Sequence, residues 1–335
     1  MRESPSSETS AQPTRLTPIE GRTADDVRAR AAADRAGIVT EGRGFTPLVS
    51  IGVPVYNGER FLAQALDTLL GQTLRDFELI ISDNASTDRT ANICLDYAAR
   101  DARIRYIRQA SNIGGARNWN FVALEARGRY FKWASADDFC DPRMLEKCVA
   151  VLSADPNVVL CYGRACIVDE ETGEHRPFAH DVSAVDPRPS ERFKTVFRSQ
   201  LLIGNVLQGV IRLDVLRRTP LERLYPHGDN VLMAELALRG RFVLLADILF
   251  YRRLGPRTWS MRLPPAELQA FFYPGLAATP RLDRLRFYLD YFKTVLRAPI
   301  TASEKLRTLP VVARRATGDL LRAMRIIKKS AVPRI

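Results

Sequence analysis

The chain lacks several features that would place it outside the cytoplasm or across a membrane. Its five cysteines are scattered and form no C-x-x-C pair, so neither a zinc site of that kind nor a disulfide framework is indicated. Residues 1–46 contain no apolar segment typical of a signal peptide. Asp247 interrupts the longest apolar run, Phe242–Tyr251, which is far shorter than the roughly 20 residues that span a bilayer. We therefore expect a cytoplasmic protein with reduced thiols.

Charged residues are spread unevenly along the chain. The whole sequence carries a formal net charge of +12, and residues 281–335 alone hold 14 Lys/Arg against 4 Asp/Glu. Residues 1–46 hold 7 of each sign. The central part is therefore close to neutral, and the basic character belongs to the C-terminal tail. We predict that residues 1–46 form a disordered arm, although Ala24–Ala36 could form a short polar helix.

The glycine-rich sequences of common nucleotide-binding proteins are also missing. Neither G-x-G-x-x-G nor a Walker sequence is present, which argues against the usual dinucleotide and P-loop proteins. From Pro47 onward the chain instead alternates apolar runs with amphipathic segments. This alternation predicts a mostly parallel sheet with helices on both faces. The predicted strands are Val49–Val55, Glu78–Ser82, Arg103–Ile107, Tyr130–Trp133 and Val158–Tyr162, and the first helix is Glu59–Leu70.

The second half of the chain is less regular. Two short strands are predicted in it, Phe242–Leu245 and Ile248–Arg252, and Gly204–Gly209 is rich in turn residues. Apolar periodicity predicts four helices after the fifth strand. They cover Glu191–Leu202, Asp229–Arg239, Leu282–Leu296 and Gly318–Lys329.

Two adjacent carboxylates, Asp137 and Asp138, closely follow the predicted strand Tyr130–Trp133. An acidic pair at a strand end is unfavourable unless a cation or a polar ligand binds it. In α/β sheets this end of the strand is also where ligands lie. The pair therefore indicates a metal-assisted site for a charged substrate.

Four short motifs follow one another along the first part of the chain. They are Pro54-Val-Tyr-Asn57, Ser82-Asp-Asn-Ala-Ser-Thr-Asp88, Asn112-Ile-Gly-Gly-Ala-Arg-Asn118 and Ser135-Ala-Asp-Asp138. In order and spacing they resemble those of the inverting family 2 glycosyltransferases, over about residues 47–255. The resemblance implies the GT-A fold of nucleotide-diphospho-sugar transferases, an α/β fold whose mostly parallel central sheet is flanked by helices. It also implies a nucleotide-binding half at 47–140, an acceptor half at 141–265 and a basic helical C-terminal extension at 266–335.

The resemblance implies which residues bind the nucleotide-sugar donor. Asp83 resembles the carboxylate that accepts a hydrogen bond from the base, although an aspartate here could simply form the turn. Asn112 and Gly114 precede a helix N-terminus. They could bind polar or anionic ligand atoms there, or they could serve only to cap the helix. Arg117 could reach a phosphate or remain solvated. The remaining residues implied to line the donor are Pro54, Val55, Tyr56, Asn57, Ser135, Ala136 and Asp137.

A divalent metal, Mg²⁺ or Mn²⁺, is implied by the similarity of Asp137 to the last acid of the family's D-x-D motif, with Asp138 as a second ligand. Such an ion neutralises the charge of the leaving diphosphate. The chain departs from the family at two metal positions, because Ser135 stands for the first acid and Leu254 for a histidine. Arg252 or Arg253 could share the leaving-group charge. The acidic pair could alternatively be only the N-terminal acids of the following helix.

Asp229 resembles the general base of the family, which removes the proton of the acceptor hydroxyl during inversion. It lies at the start of a predicted helix, where an aspartate could alternatively serve only as an N-cap. Gly228 replaces the glutamate that usually precedes this base. His227 is a rival base.

The basic tail carries a second kind of signal. Lysines and arginines of Arg314–Lys329 interleave with an apolar stripe, which is typical of a helix on an anionic membrane surface. The same helix could instead pack on its own protein with a solvated basic face. Nucleic acid is not expected as a partner, because the stripe lacks aromatic residues for stacking.

Together these features predict an inverting glycosyltransferase that acts in cell-surface polysaccharide or glycoconjugate synthesis, in the cytoplasm and peripherally at the inner face of the plasma membrane. The resemblance implies a UDP- or dTDP-sugar donor and a hydroxyl of a saccharide or lipid-linked acceptor. The departures at Ser135 and Leu254 leave one alternative, a weak or inactive binding protein of the same fold in a polysaccharide assembly complex. A nucleotidyltransferase is disfavoured because Val49–Asn57 contains no glycine-rich phosphate loop.

Overall fold

The computed structural model describes residues 46–199, 205–258, 265–274 and 280–330. The predicted N-terminal arm and its polar helix therefore lie outside the described residues, apart from position 46. The last residues of the helix predicted at Glu191–Leu202, from position 200 onward, also lie outside them.

Four parallel strands form the first half of the sheet, in the order β3-β2-β1-β4. Their residues are Val49–Val55 (β1), Phe77–Asp83 (β2), Ile104–Arg108 (β3) and Tyr130–Trp133 (β4). Helices Leu62–Leu70 (α1), Thr90–Arg100 (α2) and Gly115–Glu125 (α3) connect them. The register aligns Val55 with Asp83 and Asp83 with Arg108. The carboxyl ends of these strands therefore meet at one edge, where ligands of such sheets lie.

The second half extends the same sheet with mixed pairing, in the full order β3-β2-β1-β4-β8-β6-β9-β5 with β7 beside β6. Strand β8 is antiparallel to both β4 and β6, whereas β6 and β9 are parallel. The strands are Phe139–Cys140 (β5), Val158–Asp169 (β6), His175–Pro177 (β7), Val210–Arg212 (β8) and Arg241–Leu254 (β9). The helices are Met144–Ala154 (α4), Pro189–Arg198 (α5), Leu213–Leu216 (α6) and Gly228–Arg239 (α7), with a 3₁₀ turn at Val206–Gln208.

The two short strands predicted near residues 242 and 248 form one long strand, β9. Its pairing with β6 is irregular near Gly163 and Arg164, where extra residues shift the register. Bulges of this kind let one strand continue past residues that break the alternation of side chains. Around Asp247 the sequence predicted that one strand ends and another begins. A polar residue that breaks an apolar run is expected both at a bulge and at a strand end, so the sequence alone does not separate the two.

Apolar side chains pack on both faces of the sheet. Leu79 and Ile81 of β2 belong to one hydrophobic cluster, and Ile80 between them belongs to the other. Successive side chains of a strand point to opposite faces, so both faces are buried, as in other parallel sheets. In the described part of the chain, no helix is long and apolar enough to cross a membrane.

Three C-terminal helices complete the structure, Pro265–Phe272 (α8), Pro280–Arg297 (α9) and Ala302–Ser330 (α10). Helix α10 begins well before the helix predicted at Gly318–Lys329 and continues through Pro310. Tyr291 of α9 and Val312 of α10 are fully buried in the hydrophobic cluster that also holds Phe193 of α5. These helices therefore share a core with the central sheet, and the predicted boundary at 266 remains a prediction about domain organisation.

Candidate active site

The carboxyl ends of β2, β1 and β4 bring three of the predicted motifs to one edge of the sheet. Asp83 ends β2, Asn57 follows β1 and Ser135 follows β4. A Cβ atom built on Gly58 would lie 3.6 Å from the Cβ atom of Ala136, so the loop after β1 touches the segment after β4. The segments that follow β1 and β4 are therefore in contact at this edge.

Asp83 is fully buried and lies at the centre of a hydrogen-bond network. Its Oδ1 atom accepts from the Ser86 amide at 2.8 Å. Its Oδ2 atom accepts from the Tyr106 hydroxyl at 2.9 Å and from the Arg108 guanidinium at 3.0 Å. Both carboxylate oxygens thus face protein donors, so a nucleobase could approach Asp83 only by sharing or displacing one of these bonds. Direct contact between Asp83 and a base remains a prediction.

The loop after β1 is held against the loop after β2. The Asn57 amide donates to Ser86 Oγ at 2.9 Å, and Asn57 Oδ1 accepts from the Thr87 amide at 2.8 Å. Asn57 adopts a left-handed backbone conformation with φ of 49°, which asparagine tolerates better than most residues. Pro54 and Val55, which precede this loop, are buried within β1.

Asn112 and Gly114 lie beside the loop after β2. Asn112 Oδ1 accepts from Asn84 Nδ2 and from the Gly114 amide, both at 2.9 Å. Gly114 has φ of 88° and immediately precedes α3, so the helix N-terminus faces the same region as the strand ends. Arg117, on the first turn of α3, is exposed and makes no hydrogen bond or ion pair with the described residues.

A short aromatic segment covers this helix N-terminus. We call residues 265–274, which contain α8, the cover segment. A Cβ atom on Gly114 would lie 2.3 Å from Pro274 Cδ, and one on Gly115 would lie 2.5 Å from Phe272 Cδ1. The rings of Tyr56 and Phe271 lie 5.3 Å apart. Both glycines are therefore needed for close contact between the cover segment and the start of α3.

Asp137 and Asp138 are half-buried in the segment after β4. Burial, together with the charge of Asp137, raises the pKa of Asp138 to about 7. Asp138 Oδ1 accepts from the Arg253 amide at 2.9 Å. Ser135 Oγ accepts from Gln208 Nε2 at 3.0 Å. The two carboxylates thus carry mutual repulsion that a bound cation would relieve.

The donor set fits a divalent ion that takes most of its ligands from elsewhere. The described residues contain no group of three or more His, Cys, Asp or Glu side chains placed to hold a metal. Leu254, at the end of β9, offers no ligand atom. Magnesium commonly binds through one or two carboxylates and completes its shell with phosphates and water. Asp137 and Asp138 meet that requirement, but they do not form a complete site by themselves.

The two arginines beside this pair have different surroundings. Arg253 is buried, its guanidinium lies 4.1 Å from the Phe61 ring centroid, and it donates to Gln64 Oε1. Its hydrogen-bonding capacity is therefore partly used inside the protein. Arg252 is half-buried and makes no hydrogen bond or ion pair with the described residues, although its charge lowers the pKa of Asp138. Of the two, Arg252 is better able to contact a ligand phosphate.

Asp229 lies on the first turn of α7, close to a second carboxylate. Burial raises the pKa of Asp229. Burial, followed by the charge of Asp229, raises the pKa of Glu222 well above its usual range. The Tyr273 hydroxyl donates to Glu222 Oε1 at 3.4 Å. Asn120 of α3 holds the backbone of Glu222 through two hydrogen bonds, at 2.9 and 3.1 Å. A chain of contacts thus runs from the cover segment to Glu222 and Asp229.

The glycine before Asp229 has a steric explanation. A Cβ atom on Gly228 would lie 2.2 Å from the carbonyl oxygen of Arg223, so a glutamate does not fit at this position without a backbone shift. The second acid near Asp229 comes from Glu222 in the preceding loop instead. His227 is exposed and left-handed, with φ of 68°, and its charge lowers the pKa of Asp229.

Several residues of this region were not predicted from the sequence. Arg108 ends β3 at the ligand-binding edge, so the strand-end rule that identified Asp83 could have identified it as well. Glu222 and Tyr273 lie in segments with no motif or periodicity, and only the folded chain brings them together. Gln208, which donates to Ser135, lies within the turn-rich segment Gly204–Gly209, and nothing in the sequence marked it as a site residue.

Comparison with known proteins agrees with the motifs. The model of glycosyl transferase family 2 matches residues 50–223, just over half of the chain. The uncharacterized glycosyltransferase EpsJ of Bacillus subtilis (strain 168) is 45% identical over 102 residues, 30% of this chain and 29% of EpsJ. The chondroitin synthase of Escherichia coli is 35% identical over 126 residues, 37% of this chain and 18% of the synthase. The match therefore spans less than a third of either relative.

Solved structures agree on the fold. The crystal structure of S. aureus TarS 1-349 in complex with UDP aligns with a TM-score of 0.59 at 17% identity. The alignment covers 80% of this chain and 71% of that one. At this identity the likeness concerns the fold alone, and it confirms the predicted GT-A fold with its central sheet, flanking helices and C-terminal helices. The family match over more than half of the chain shows that the chain belongs to glycosyl transferase family 2.

Proposed function

We propose that the protein is an inverting glycosyltransferase that moves a sugar from a nucleotide diphosphate to a hydroxyl of a saccharide or lipid-linked acceptor. The observation that carries the proposal is the meeting of Asn57, Asp83 and Asp137 at the carboxyl ends of three neighbouring strands. A ligand at this edge can contact a buried polar network, an acidic pair and a helix N-terminus together. These are the groups that a base, a diphosphate and its counter-ion require.

The donor is a uridine or thymidine diphosphate sugar. Pro54–Asn57 and the loop after β2 line the nucleoside, and Arg108 and Ser86 offer polar groups around Asp83. Asn112 and Gly114 face the ribose and phosphates, and Ser135 and Ala136 border the sugar. Arg117, which is exposed and unpaired among the described residues, reaches toward a phosphate. A uridine nucleotide is also the ligand named for the TarS complex, and we extend it to this chain only as a proposal.

Asp137 and Asp138 would hold a Mg²⁺ or Mn²⁺ ion against the diphosphate. When bound, such an ion neutralises the charge that the diphosphate gains as it leaves. Asp137 supplies the first carboxylate and Asp138 the second. Arg252 adds a positive charge on the same side of the site. Ser135 and Gln208 contribute hydrogen bonds without charge, so the ion depends more on the substrate's phosphates than it would with three acidic ligands.

Asp229 acts as the general base. The acceptor oxygen attacks the anomeric carbon from the face opposite the diphosphate, the bond to the diphosphate oxygen breaks, and the hydroxyl proton moves to Asp229. Burial raises the pKa of Asp229, which makes its carboxylate a stronger base than a solvated aspartate. The nearby Glu222 favours proton uptake by the pair, because two half-buried carboxylates repel each other.

The competing function is that of a weak or inactive binding protein on the same fold, supported by Ser135 and Leu254. Many transferases hydrolyse their donor slowly, so hydrolysis separates the two. We expect one member of a panel of UDP- and dTDP-sugars to raise the melting temperature with Mn²⁺ and to be hydrolysed by the full chain. If no sugar nucleotide binds or is hydrolysed with metal present, the binding-protein alternative is favoured.

The C-terminal helices support association with an anionic membrane surface. Eight large apolar side chains are exposed in the described ranges, and six of them are leucines of α9 and α10, between 45% and 71% exposed. They are Leu285, Leu289, Leu296, Leu306, Leu320 and Leu321. Arginines and lysines alternate with them along both helices. Exposed leucines beside basic residues are typical of helices that lie in a membrane interface.

Flotation of the full chain with vesicles tests this association. A truncation before α10 would remove the buried Thr308 and Val312 from the core, so substitutions are preferable. We expect Leu306→Gln with Leu320→Gln to reduce binding to vesicles of equimolar phosphatidylcholine and phosphatidylglycerol. The control pair is Leu95→Gln with Val185→Gln, at exposed apolar positions elsewhere. Equal binding by both pairs would remove the leucines from any membrane contact.

A further inference from the structure

A basic cleft opens between helices α5 and α10, away from the proposed active site. Its volume is about 540 Å³, and six of its lining side chains are cationic while one is acidic. The cations are Lys194 and Arg198 of α5 and Arg307, Arg314, Arg315 and Arg322 of α10. None of the residues that line it belongs to the proposed donor, metal or base positions. The cleft is therefore a separate feature that the transfer reaction does not explain.

The positive charge of the cleft is only partly neutralised by the protein. Lys194 pairs with Glu191 at 2.7 Å and Arg307 with Glu304 at 2.6 Å. The acid in the cleft, Asp319, already accepts from the Tyr288 hydroxyl and lies 3.7 Å from Arg315.

Arg198 and Arg314 make no ion pair or hydrogen bond anywhere in the described ranges. One arginine comes from each helix, so the two guanidinium groups border the cleft from both sides. Two unpaired guanidinium groups around one concave space favour a ligand with several anionic oxygens.

The floor of the cleft contains a glycine that packing does not require. A Cβ atom built on Gly318 would meet no heavy atom within 4 Å. Glycine inside a helix costs about 1 kcal/mol relative to alanine. Gly318 therefore leaves open the space between the two arginine-bearing helices, where a side chain would narrow it.

The position of the cleft relative to the exposed leucines indicates which ligand it holds. Arg307, Arg314, Gly318 and Arg322 follow one another at helical spacing along one side of α10. Leu321, which is exposed, lies seven residues after Arg314 and therefore on the same side of the helix. If Leu321 enters the acyl region of a bilayer, the arginine row lies at the depth of the lipid headgroups.

We propose that the cleft between α5 and α10 binds the phosphate headgroup of an anionic membrane lipid. The proposal rests on the membrane association proposed above, and it assigns to that association a defined headgroup site. Diffuse attraction of the basic tail to a charged surface depends on the number of cations and not on their positions. Binding at a defined site depends on the particular cations that line it.

Two charge-matched double variants of the full chain separate a site from diffuse attraction. Arg198→Gln with Arg314→Gln removes the two unpaired cations of the cleft. Arg284→Gln with Arg297→Gln removes two exposed cations of α9 that are likewise unpaired among the described residues and do not line the cleft. We expect the cleft pair to bind equimolar phosphatidylcholine–phosphatidylglycerol vesicles about tenfold more weakly than the α9 pair does. Equal weakening of both pairs would overturn the proposal.

Gly318→Phe gives a second test that changes no charge. Because the space above Gly318 is open and glycine is unfavourable inside a helix, the variant should melt no lower than the wild type and fill the cleft. We expect it to weaken vesicle binding as the cleft pair does, and wild-type affinity in this variant contradicts a headgroup site.

Monomeric dihexanoyl-phosphatidylglycerol separates the failure of this proposal from that of membrane association. We expect isothermal titration calorimetry to detect its binding to the wild type and to Leu306→Gln/Leu320→Gln, and not to Arg198→Gln/Arg314→Gln. If the soluble lipid binds in this pattern but the wild type does not bind vesicles, the proposed membrane association is excluded and the headgroup site in the cleft is retained. An equal response to inorganic phosphate would identify a free anion as the ligand and overturn the lipid assignment, as would no heat with either probe.

Discussion

The Tyr273 hydroxyl donates to Oε1 of Glu222 at 3.4 Å, and this bond joins the cover segment to the carboxylate beside the proposed base. Pro274, the next residue, packs on Gly114 at the start of α3. The cover segment therefore contacts the donor side and the acceptor side of the site at once. A change at Gly114 or Gly115 should therefore also affect the surroundings of Asp229.

Glu222→Gln tests the charge of this half-buried carboxylate. The folded-state pKa of Glu222 lies above its usual 4.5, so its contribution to stability is fully present below that pH and is lost as the pH rises through the raised value. Glutamine keeps the size and the acceptor oxygen but does not ionise. We expect the variant to melt at a higher temperature than the wild type near neutral pH, with a difference that shrinks toward pH 4.5. A pH-independent difference in melting temperature would contradict the raised pKa.

Asp83→Asn tests the buried network at the end of β2. The change removes a charge that accepts from Ser86, Tyr106 and Arg108. Hydrogen bonds to a charged group stabilise by about 1.5–3 kcal/mol each, and Arg108 is partly solvated, so we expect a loss of about 2 kcal/mol in urea denaturation. The control is Asp214→Asn, whose pair with Arg218 is exposed and 3.9 Å long, and which should change stability little. If both variants lose the same free energy of unfolding, the hydrogen bonds to Asp83 do not stabilise the fold more than an exposed ion pair does.

Gly114→Ala tests the contact with the cover segment. The new Cβ atom would meet Pro274 at 2.3 Å in a backbone with φ of 88°. Gly173→Ala is a matched control, because Gly173 has φ of 72° and no heavy atom near its Cβ position. Both variants place an alanine at a positive φ, which costs about 1–3 kcal/mol. Only Gly114→Ala should also displace Pro274 and weaken UDP binding in a titration. If both variants bind UDP with the same affinity, the cover segment does not influence the donor site.

Asp137→Asn tests the metal. Removing one of two carboxylates should raise the Mn²⁺ concentration needed for half-maximal donor binding by about tenfold or more. Asp138→Asn should have a smaller effect, because Asp138 already accepts from the Arg253 amide. Donor binding that persists in EDTA and is unchanged by either variant would exclude a metal held by this pair.

The parallel half of the fold was predictable because its strands are short, apolar and separated by amphipathic helices. Strand β4 was predicted at its observed bounds, Tyr130–Trp133, and β1 likewise at Val49–Val55. The antiparallel insertion of β8 was not predicted, because Val210–Arg212 has only three residues and its partners are distant in sequence. The early start of α10 was missed because Pro310 lies inside it, and an internal proline normally ends a helix.

The candidate site was predictable where a motif marks a strand end, as at Asp83 and Asp137. It was not predictable where tertiary contacts create the chemistry. Glu222 and Tyr273 are more than fifty residues apart in the sequence, and neither belongs to a periodic segment. The glycine at 228 looked like a lost acid, whereas the carbonyl of Arg223 leaves no room for a side chain there.

The most direct test of the central claim compares the wild type with Asp229→Asn on the sugar nucleotide identified by thermal shift. Donor binding with Mn²⁺ should be the same in both proteins, because Asp229 lies on the acceptor side. A positioned general base contributes about 10²–10⁴-fold to the rate, so sugar transfer should fall at least about a hundredfold in the variant. Unchanged donor binding with heavily reduced transfer is the predicted result. Unchanged transfer by Asp229→Asn would contradict the account.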